Sequence, residues 1–276
     1  MPRKSQKRPR SQAQTKLPLH GPQYPDPFAL QREAPMLVLF DRIWWSKGMD
    51  CIDLGCGTGV HTSALHERLR SASCIGVDAN ASHIQRAKSR QTQELRFIHA
   101  EPLNWTPTNP VDLVLLNQPN LKQTSLADWI SKLVPQLSSE GQALIHLPRY
   151  LAHPIATSAR TLALSKPFKS LFNEPELTTD STTSIELSTI LTNHGFVEQQ
   201  VEEHVLVHRF ASNHRVQEWL LEFALPTVKP AHNTELFESF MANLGQHIEA
   251  IAGTPTPFIW PTVHLIAWAR LPKTSD

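Results

Sequence analysis

Asp53-Leu54-Gly55-Cys56-Gly57-Thr58-Gly59 joins a strand-like run, Cys51-Ile52-Asp53-Leu54, to a segment beginning at Val60 in which Ala64, Leu65 and Leu69 fall on one helical face. Glycines at a strand-to-helix turn let the chain reverse tightly and let a ligand reach the backbone with no Cβ in the way. A dinucleotide fold calls for G-x-G-x-x-G with a third small residue at position 60, where this chain has Val60. The pattern is instead acid-x-G-x-G-x-G. An acid directly before the turn suits a ligand with a positive end rather than a pyrophosphate.

Outward from this turn the rhythm repeats. Cys74-Ile75-Gly76-Val77, Arg96-Phe97-Ile98, Val111-Asp112-Leu113-Val114-Leu115-Leu116 and Ala143-Leu144-Ile145-His146-Leu147 read as further strands, with a helix around Ile84 and Ala87 after the first. Between the last two strands, Ile130, Leu133, Val134 and Leu137 stand at i, i+3, i+4 and i+7, the spacing of one buried helical face. Strand and helix in alternation imply right-handed crossovers and a mainly parallel sheet covered on both sides, an α/β fold. Two acids stand at successive strand ends: Asp78 after Gly76-Val77, where a carboxylate suits the hydroxyls of a ribose, and Glu101 after the third strand.

The rest of the chain is less regular. Residues 1–27 are basic, then punctuated by Pro18, Pro22, Pro25 and Pro27, a composition that predicts a disordered or extended tail. The folded domain is predicted to span 28–276, with 28–148 as its ligand-binding half and 149–276 as cap insertions and closing strands. Phe28 to Trp45 predicts a helix with Pro35 near its start or at a kink, and places Trp44 and Trp45 over the sheet or the ligand pocket. Residues 149–182 read as loop or short helix, Phe196–Phe210 as one strand, 214–252 as helical and Val263–Trp268 as a closing strand. The apolar stripe Leu236, Phe237, Phe240, Met241, Leu244, Ile248 and Ile251 reads as core or cap packing. The irregular pieces are expected to cap the carboxyl edge of the sheet, where open α/β sheets bind ligands.

Composition narrows the class. The chain is 40% hydrophobic and 18% charged, and no stretch approaches 18 consecutive apolar residues, so neither disorder throughout nor a membrane span is expected. Its formal charge of +1 conceals a division. Arg3, Lys4, Lys7, Arg8, Arg10 and Lys16 carry no acid among them, which leaves 20 bases against 25 acids in residues 17–276. The tail lacks the apolar stretch of a secretory signal, so a cytoplasmic location is expected, and segment 1–16 is a candidate for weak nucleic-acid contact. Cys51, Cys56 and Cys74 lack metal-ligand spacing and are expected to be reduced and packed, with no metal site.

A glycine turn with acids at three successive strand ends resembles the class I S-adenosylmethionine-dependent methyltransferases, whose Rossmann-like sheet has seven mostly parallel strands. The resemblance implies S-adenosylmethionine as cofactor, with Gly55, Cys56, Gly57 and Gly59 packed against it and Asp53 before the turn. It also implies that Asp78 and Ala79 meet the ribose, that Glu101 and Pro102 lie near the adenine amine, and that Asn117 ends the fourth strand beside cofactor or substrate. The order of Phe28, Arg32 and Pro35, Phe97 through Trp105, Leu147-Pro148, Glu203, His208, Val216 to Trp219, Leu225 and Ile266-Ala267 to Arg270 is similar to the trans-aconitate methyltransferase branch. The malonyl-carrier-protein methyltransferases are its neighbours.

Both branches methylate a carboxylate of a small acid or its thioester, so carboxylate O-methylation of a small molecule is the activity the resemblance implies. A carboxylate is ionised at neutral pH and needs no general base, and no catalytic triad is expected. Arg149, Tyr150 and His208 are the substrate candidates. The departures lie in the substrate region: Asn120-Leu121-Lys122 stands where relatives have Leu-His-Trp, and Phe223-Ala224-Leu225-Pro226-Thr227 lacks the arginine of their loop. Their late arginine is replaced around Thr262-Val263. Asn117-Gln118-Pro119-Asn120 echoes the Asn-Pro-Pro-aromatic loop of amino-methyltransferases, which keeps N-methylation of RNA or protein as the alternative, beside a homologue that binds cofactor without turnover.

Overall fold

The computed structural model describes residues 29–119, 124–173, 182–230, 232–254 and 257–274. The basic tail and its proline-punctuated continuation to residue 27 lie outside the described residues, as does Asn120-Leu121-Lys122. In chain order the elements are α1 (Ala29–Phe40), β1 (Asp50–Leu54), α2 (Val60–Leu69), β2 (Ser73–Asp78), α3 (Ala81–Ala87), β3 (Leu95–His99) and β4 (Val111–Asn117). They continue as α4 (Leu126–Leu133), β5 (Leu137–Arg149), α5 (Pro154–Leu164), α6 (Ser184–Asn193), β6 (Glu198–Phe210), α7 (Asn213–Phe223), α8 (Thr234–Ala252) and β7 (Phe258–Arg270).

The strands form one sheet in the order β3-β2-β1-β4-β5-β7-β6, with β7 antiparallel to both its neighbours and the other described pairings parallel. Chain direction across the sheet reverses between β1 and β4, because β2 and β3 build to one side and the later strands to the other. Ligands of open α/β sheets sit at such a switch point, outside the carboxyl ends.

Alternation along the strands explains the two covered faces. Leu113, Leu115, Leu144 and Ile266 face Met36, Leu39 and Phe40 of α1 and Leu65 and Leu69 of α2. Val114, Leu116, Ile145, Leu147 and Leu265 face Trp129, Ile130 and Leu133 of α4 and Leu187 and Leu191 of α6. So α6 flanks the sheet instead of capping it. Helix α1 runs through Pro35, which lies inside the helix and not at its start.

The cap has its own core. Strand β5 stops pairing with β7 at Arg149–Val263, whereas β6 and β7 stay paired as far as Phe210–Phe258. Their overhang carries Phe210, Phe258 and Trp260 into a cluster with α5, α7 and α8 that includes Trp219, Phe240, Leu244 and Ile248. Ile251, at the end of the predicted α8 stripe, is exposed. Residues 149–182 hold a full 11-residue helix, α5, started by Pro154 in its first turn and the His153 side chain accepting from Ile155 N. Among the described residues, no helix is long and apolar enough to cross a membrane.

Candidate active site

The glycine turn is held against β2 by backbone bonds, Gly55 N and Cys56 N both donating to Val77 O at 2.8 and 3.0 Å. Its three glycines have positive φ but different surroundings. A Cβ on Gly55 (φ 83°) or Gly57 (φ 55°) would meet nothing within 4 Å, so both border open space at the switch point. A Cβ on Gly59 (φ 75°) would lie 2.5 Å from Phe97 Cε1 and 3.0 Å from Ala87 Cβ. Gly59 lets α2 close on the sheet, and Gly55 and Gly57 keep a cradle clear. Cys56 is buried against Gly76, and burial raises its thiol pKa, so it packs and stays protonated.

Asp78 closes β2 beside the turn. Its Oδ2 accepts from Gly57 N at 2.8 Å and its Oδ1 from Asn80 N at 2.8 Å with His83 Nδ1 at 3.3 Å, which ties the carboxylate to the glycine cradle and leaves Oδ2 a second lone pair. Ala79 is exposed next to it, and its carbonyl accepts from His99 Nε2 at 3.0 Å. Ala100 N donates to Asp78 O at 3.2 Å, bringing exposed Glu101 and buried Pro102 to the same edge. The structure therefore gathers Gly55, Gly57, Asp78, Ala79, Glu101 and Pro102 along one strip.

Asp53 is placed differently. It lies 1% exposed beneath the turn, where Thr62 Oγ1 donates to its Oδ2 at 2.7 Å and its Oδ1 has no hydrogen-bond partner. Burial, with a smaller contribution from Asp78, raises its pKa to about 7 against the opposing Thr62 bond. The proton held by the fold stabilises it below the ordinary carboxyl range, and that contribution is lost as pH rises through 7. Asp53→Asn is therefore expected to raise the urea midpoint at pH 8 and change it little at pH 5. A lower midpoint than wild type at pH 8 would overturn this assignment.

Across the switch point, Asn117 Nδ2 lies 3.0 Å from His61 Nδ1, and Asn117 Oδ1 lies 2.7 Å from His146 Nδ1. The line continues through His146 Nε2 to His264 Nδ1 at 2.9 Å, His264 Nε2 to Thr262 Oγ1 at 2.8 Å and Thr262 Oγ1 to His208 Nε2 at 2.8 Å. His146, His264, Thr262 and His208 are buried. Burial lowers all three ring pKa values, to about 4 for His264 and His208 and well below the usual range for His146, where His264 adds to the effect. Both ends of the Asn117 amide thus bond to imidazoles, and His208 sits inside the polar line.

Of the other candidates, Arg149 pairs with Glu203 at 2.7 Å. Tyr150 is wedged edge-on between Trp219 and His264, with its hydroxyl 3.4 Å from Gln118 Nε2. Trp44 and Trp45 lie at the opposite end of the sheet from the glycine turn. Trp44 stacks on Trp268 at 5.7 Å, and the Trp45 indole donates to Leu69 O. Of the two expected places, the sheet and the ligand pocket, Trp44 takes the sheet, and the pocket is out of reach because the chain from α1 enters β1 at its amino end.

Comparison with known proteins agrees with this geometry. A model described as "Methyltransferase domain" matches residues 45–208. Trans-aconitate 2-methyltransferase of Escherichia coli O1:K1 / APEC is 29% identical over 148 residues, 54% of this chain and 58% of the relative. That of Shigella dysenteriae serotype 1 is 27% identical over the same shares, so the chain spans little more than half the length of these relatives. Among solved structures, the YcgJ protein of Bacillus subtilis superposes with a TM-score of 0.59 at 12% identity, covering 88% of this chain and all of the other. Phosphoethanolamine N-methyltransferase 2 of Haemonchus contortus gives 0.52 at 15% identity, covering 87% of this chain and 53% of the other. With the family model matching more than half of its length on the seven-stranded fold that these neighbours share, the chain belongs to the methyltransferase-domain family.

Proposed function

We propose that the protein transfers the methyl group of S-adenosylmethionine to a carboxylate oxygen of a small molecule. The observation that carries the first half is the cradle at the switch point: two glycines bordering open space, joined through Gly57 N to the Asp78 carboxylate. The partnerless, buried Oδ1 of Asp53 beneath the turn fits a ligand that brings positive charge to this edge. When bound, S-adenosylmethionine supplies a methyl group already activated by its sulfonium.

The chain then has three tasks. Asp78 and Ala79 hold the ribose end, with Glu101 and Pro102 beside the adenine. Gly55 and Gly57 admit the cofactor close to the backbone, and the cap closes over the carboxyl edge to exclude water. The acceptor must be aligned with the bond that breaks, and an ionised carboxylate needs no base for that.

The carboxylate reading draws on the relatives, named for trans-aconitate, and on Arg149 at the end of β5. Arg149 is already paired with Glu203, so an acceptor carboxylate either displaces Glu203 or is held by neutral donors. Asn117, the residue an amino-methyltransferase would use to grip nitrogen, has both ends of its amide bonded to imidazoles, which weakens the RNA or protein alternative.

Calorimetry with S-adenosylmethionine tests the cofactor. Asp78→Ala and Asp78→Asn are expected to weaken binding by about 100-fold, the loss of two charge-assisted bonds. Undiminished binding in both would overturn the assignment. Incubation with methyl-labelled cofactor and trans-aconitate, then with an extract divided into metabolite, RNA and protein, tests the acceptor. Label in base-labile small-molecule esters is expected, and label in RNA or protein would replace the carboxylate reading.

A further inference from the structure

Strand β6 ends the sheet, and its outer edge is bare for a strand of 13 residues. Natural sheets blunt such edges with bulges, proline, lysine or a covering element. Residues 198–210 contain no Pro, Gly or Lys, and β6 pairs with β7 without a break in register from Glu198–Arg270 to Phe210–Phe258. The ladder decides which backbone groups point outward, because alternate residues of an antiparallel pair turn both N–H and C=O to the same side. Leu271 N donates to Gly141 O at 3.0 Å, so odd-numbered residues of β7 turn toward β5 and even-numbered ones toward β6. The register joins even to even, which bonds the even-numbered residues of β6 to β7. Glu203, Val205, Val207 and Arg209 therefore turn their N–H and C=O away from the sheet. Among the described residues, no backbone bond from another element reaches them.

The side chains of these four residues share one face of the strand. Near the start of β6 that face is covered, since Val201 packs against the cluster that holds Leu187 and Leu191 of α6. On the overhang it is open: Val205 is 61% exposed and Val207 59%, with Ile259 of β7, the register partner of Arg209, 47% exposed beside them. Arg209 is exposed and has no ion pair among the described residues. Glu203 is held by Arg149 through Oε1 at 2.7 Å, and a carboxylate with two oxygens can accept a second guanidinium.

We propose that β6 is a dimerisation edge, at which two copies of the chain join antiparallel about a two-fold axis at Leu206 and make one continuous sheet. The outward face reads Glu203, Val205, Val207, Arg209, an order that is complementary to itself when reversed. Val205 meets the partner's Val207 and Glu203 meets the partner's Arg209, and the two-fold axis makes each pairing occur twice. All four are outward-turned residues, so the register that matches the side chains also forms the backbone bonds. Sliding the strands by one step that keeps those bonds sets Glu203 against the partner's Val207, or Arg209 against the partner's Val205, a charge against an apolar side chain in either direction. Charge and register thus both favour a second copy over an unrelated extended peptide. The joined segment belongs to the overhang that carries the cap core, so the dimer ties two caps together.

Sedimentation velocity on the full-length chain over about 1–100 µM is expected to show a reversible monomer–dimer equilibrium. Arg209→Glu sets two carboxylates against each other at both ends of the joint, and Val207→Lys puts a charge in the apolar patch, so each should weaken association at least about tenfold. Both residues are exposed, and the urea midpoint and S-adenosylmethionine affinity should stay as in the wild type. Leu206→Cys reads the register. On the axis it faces its own copy in a narrow pair about 4.5 Å apart at Cα, within disulfide reach, and should cross-link the dimer in glutathione buffer. His204→Cys lies about 13 Å along the strands from its own copy and should not. The native Cys51, Cys56 and Cys74 are buried and stay out of the reaction. A wild type that is monomeric across the range, a dimer that either charge variant leaves intact, failure of Leu206→Cys to cross-link, or a cross-link through His204→Cys overturns the proposal.

Discussion

Gly59→Ala is expected to destabilise the fold by roughly 2–5 kcal/mol, from about 1–2 for an L-residue in the left-handed region and 1–3 for overpacking. The residue sits at φ 75° at the head of α2, and the added methyl would lie 2.5 Å from Phe97 Cε1 and 2.6 Å from its Cζ. An exposed ring would swing away at little cost. Phe97 is buried, and its Cδ1 already lies 2.7 Å from where a Cβ on Gly76 would stand. The ring occupies a slot made by two glycines, and relief at Gly59 drives it into the backbone at Gly76. Gly57→Ala separates the fold from the site, because its methyl enters open space and only the backbone conformation is strained. Urea unfolding should show the larger loss in Gly59→Ala, and S-adenosylmethionine calorimetry the larger loss in Gly57→Ala. Adding Phe97→Leu should recover part of the Gly59→Ala stability. Equal midpoints for Gly59→Ala and wild type would show that the slot is not tight.

The two glycine environments indicate which parts of the fold were legible in the sequence. The turn, the acids at the next two strand ends and the alternation of strand with helix depend on neighbours close along the chain, and Gly55 through Gly59, Asp78 and Glu101 are where that pattern places them. Which glycine opens to ligand and which closes on Phe97 was not legible, because the ring comes from β3, 38 residues further along. The imidazole line was harder still. His61, His146, His208 and His264 are four of 14 histidines, with no spacing that links them. They meet because β4, β5, β7 and β6 are adjacent in the sheet, and because Asn117 and His146 are register partners on one face. His264 and Thr262 share that face through the strand period of two. His208 was a candidate through family position alone, and the structure places it inside the line. The overhang of β6 and β7 past β5 likewise decides which C-terminal helices cap the site, and no local pattern marks where a strand outruns its neighbour.

A protein with this line in its interior should fail in acid well before its surface carboxylates titrate. His146, His208 and His264 are held neutral by burial, so below the unfolded value of 6.5, and down to about 4 for His208 and His264, the unfolded chain binds protons that the fold does not. Stability from these rings is present above 6.5 and lost as pH falls. Asp53 has the opposite sign, since the fold holds its proton up to about 7 and the unfolded chain releases it near 3.8. Asp128 and Glu186, lowered by their Ser125 and Thr183 partners, lose their contribution only below the ordinary carboxyl range. Three rings take up protons on unfolding near pH 5 against one released by Asp53, so the balance favours the unfolded chain as the medium becomes more acid. From pH 6.5 to 4.5 the loss is on the order of a few kcal/mol, a large fraction of the stability of many domains. Urea midpoints measured across pH 4.5–8 should fall steeply below 6.5. The slope should steepen toward three protons in Asp53→Asn, which deletes the opposing group, and become shallower in His264→Gln. Midpoints independent of pH between 7 and 5 would show that the three rings are already charged in the fold.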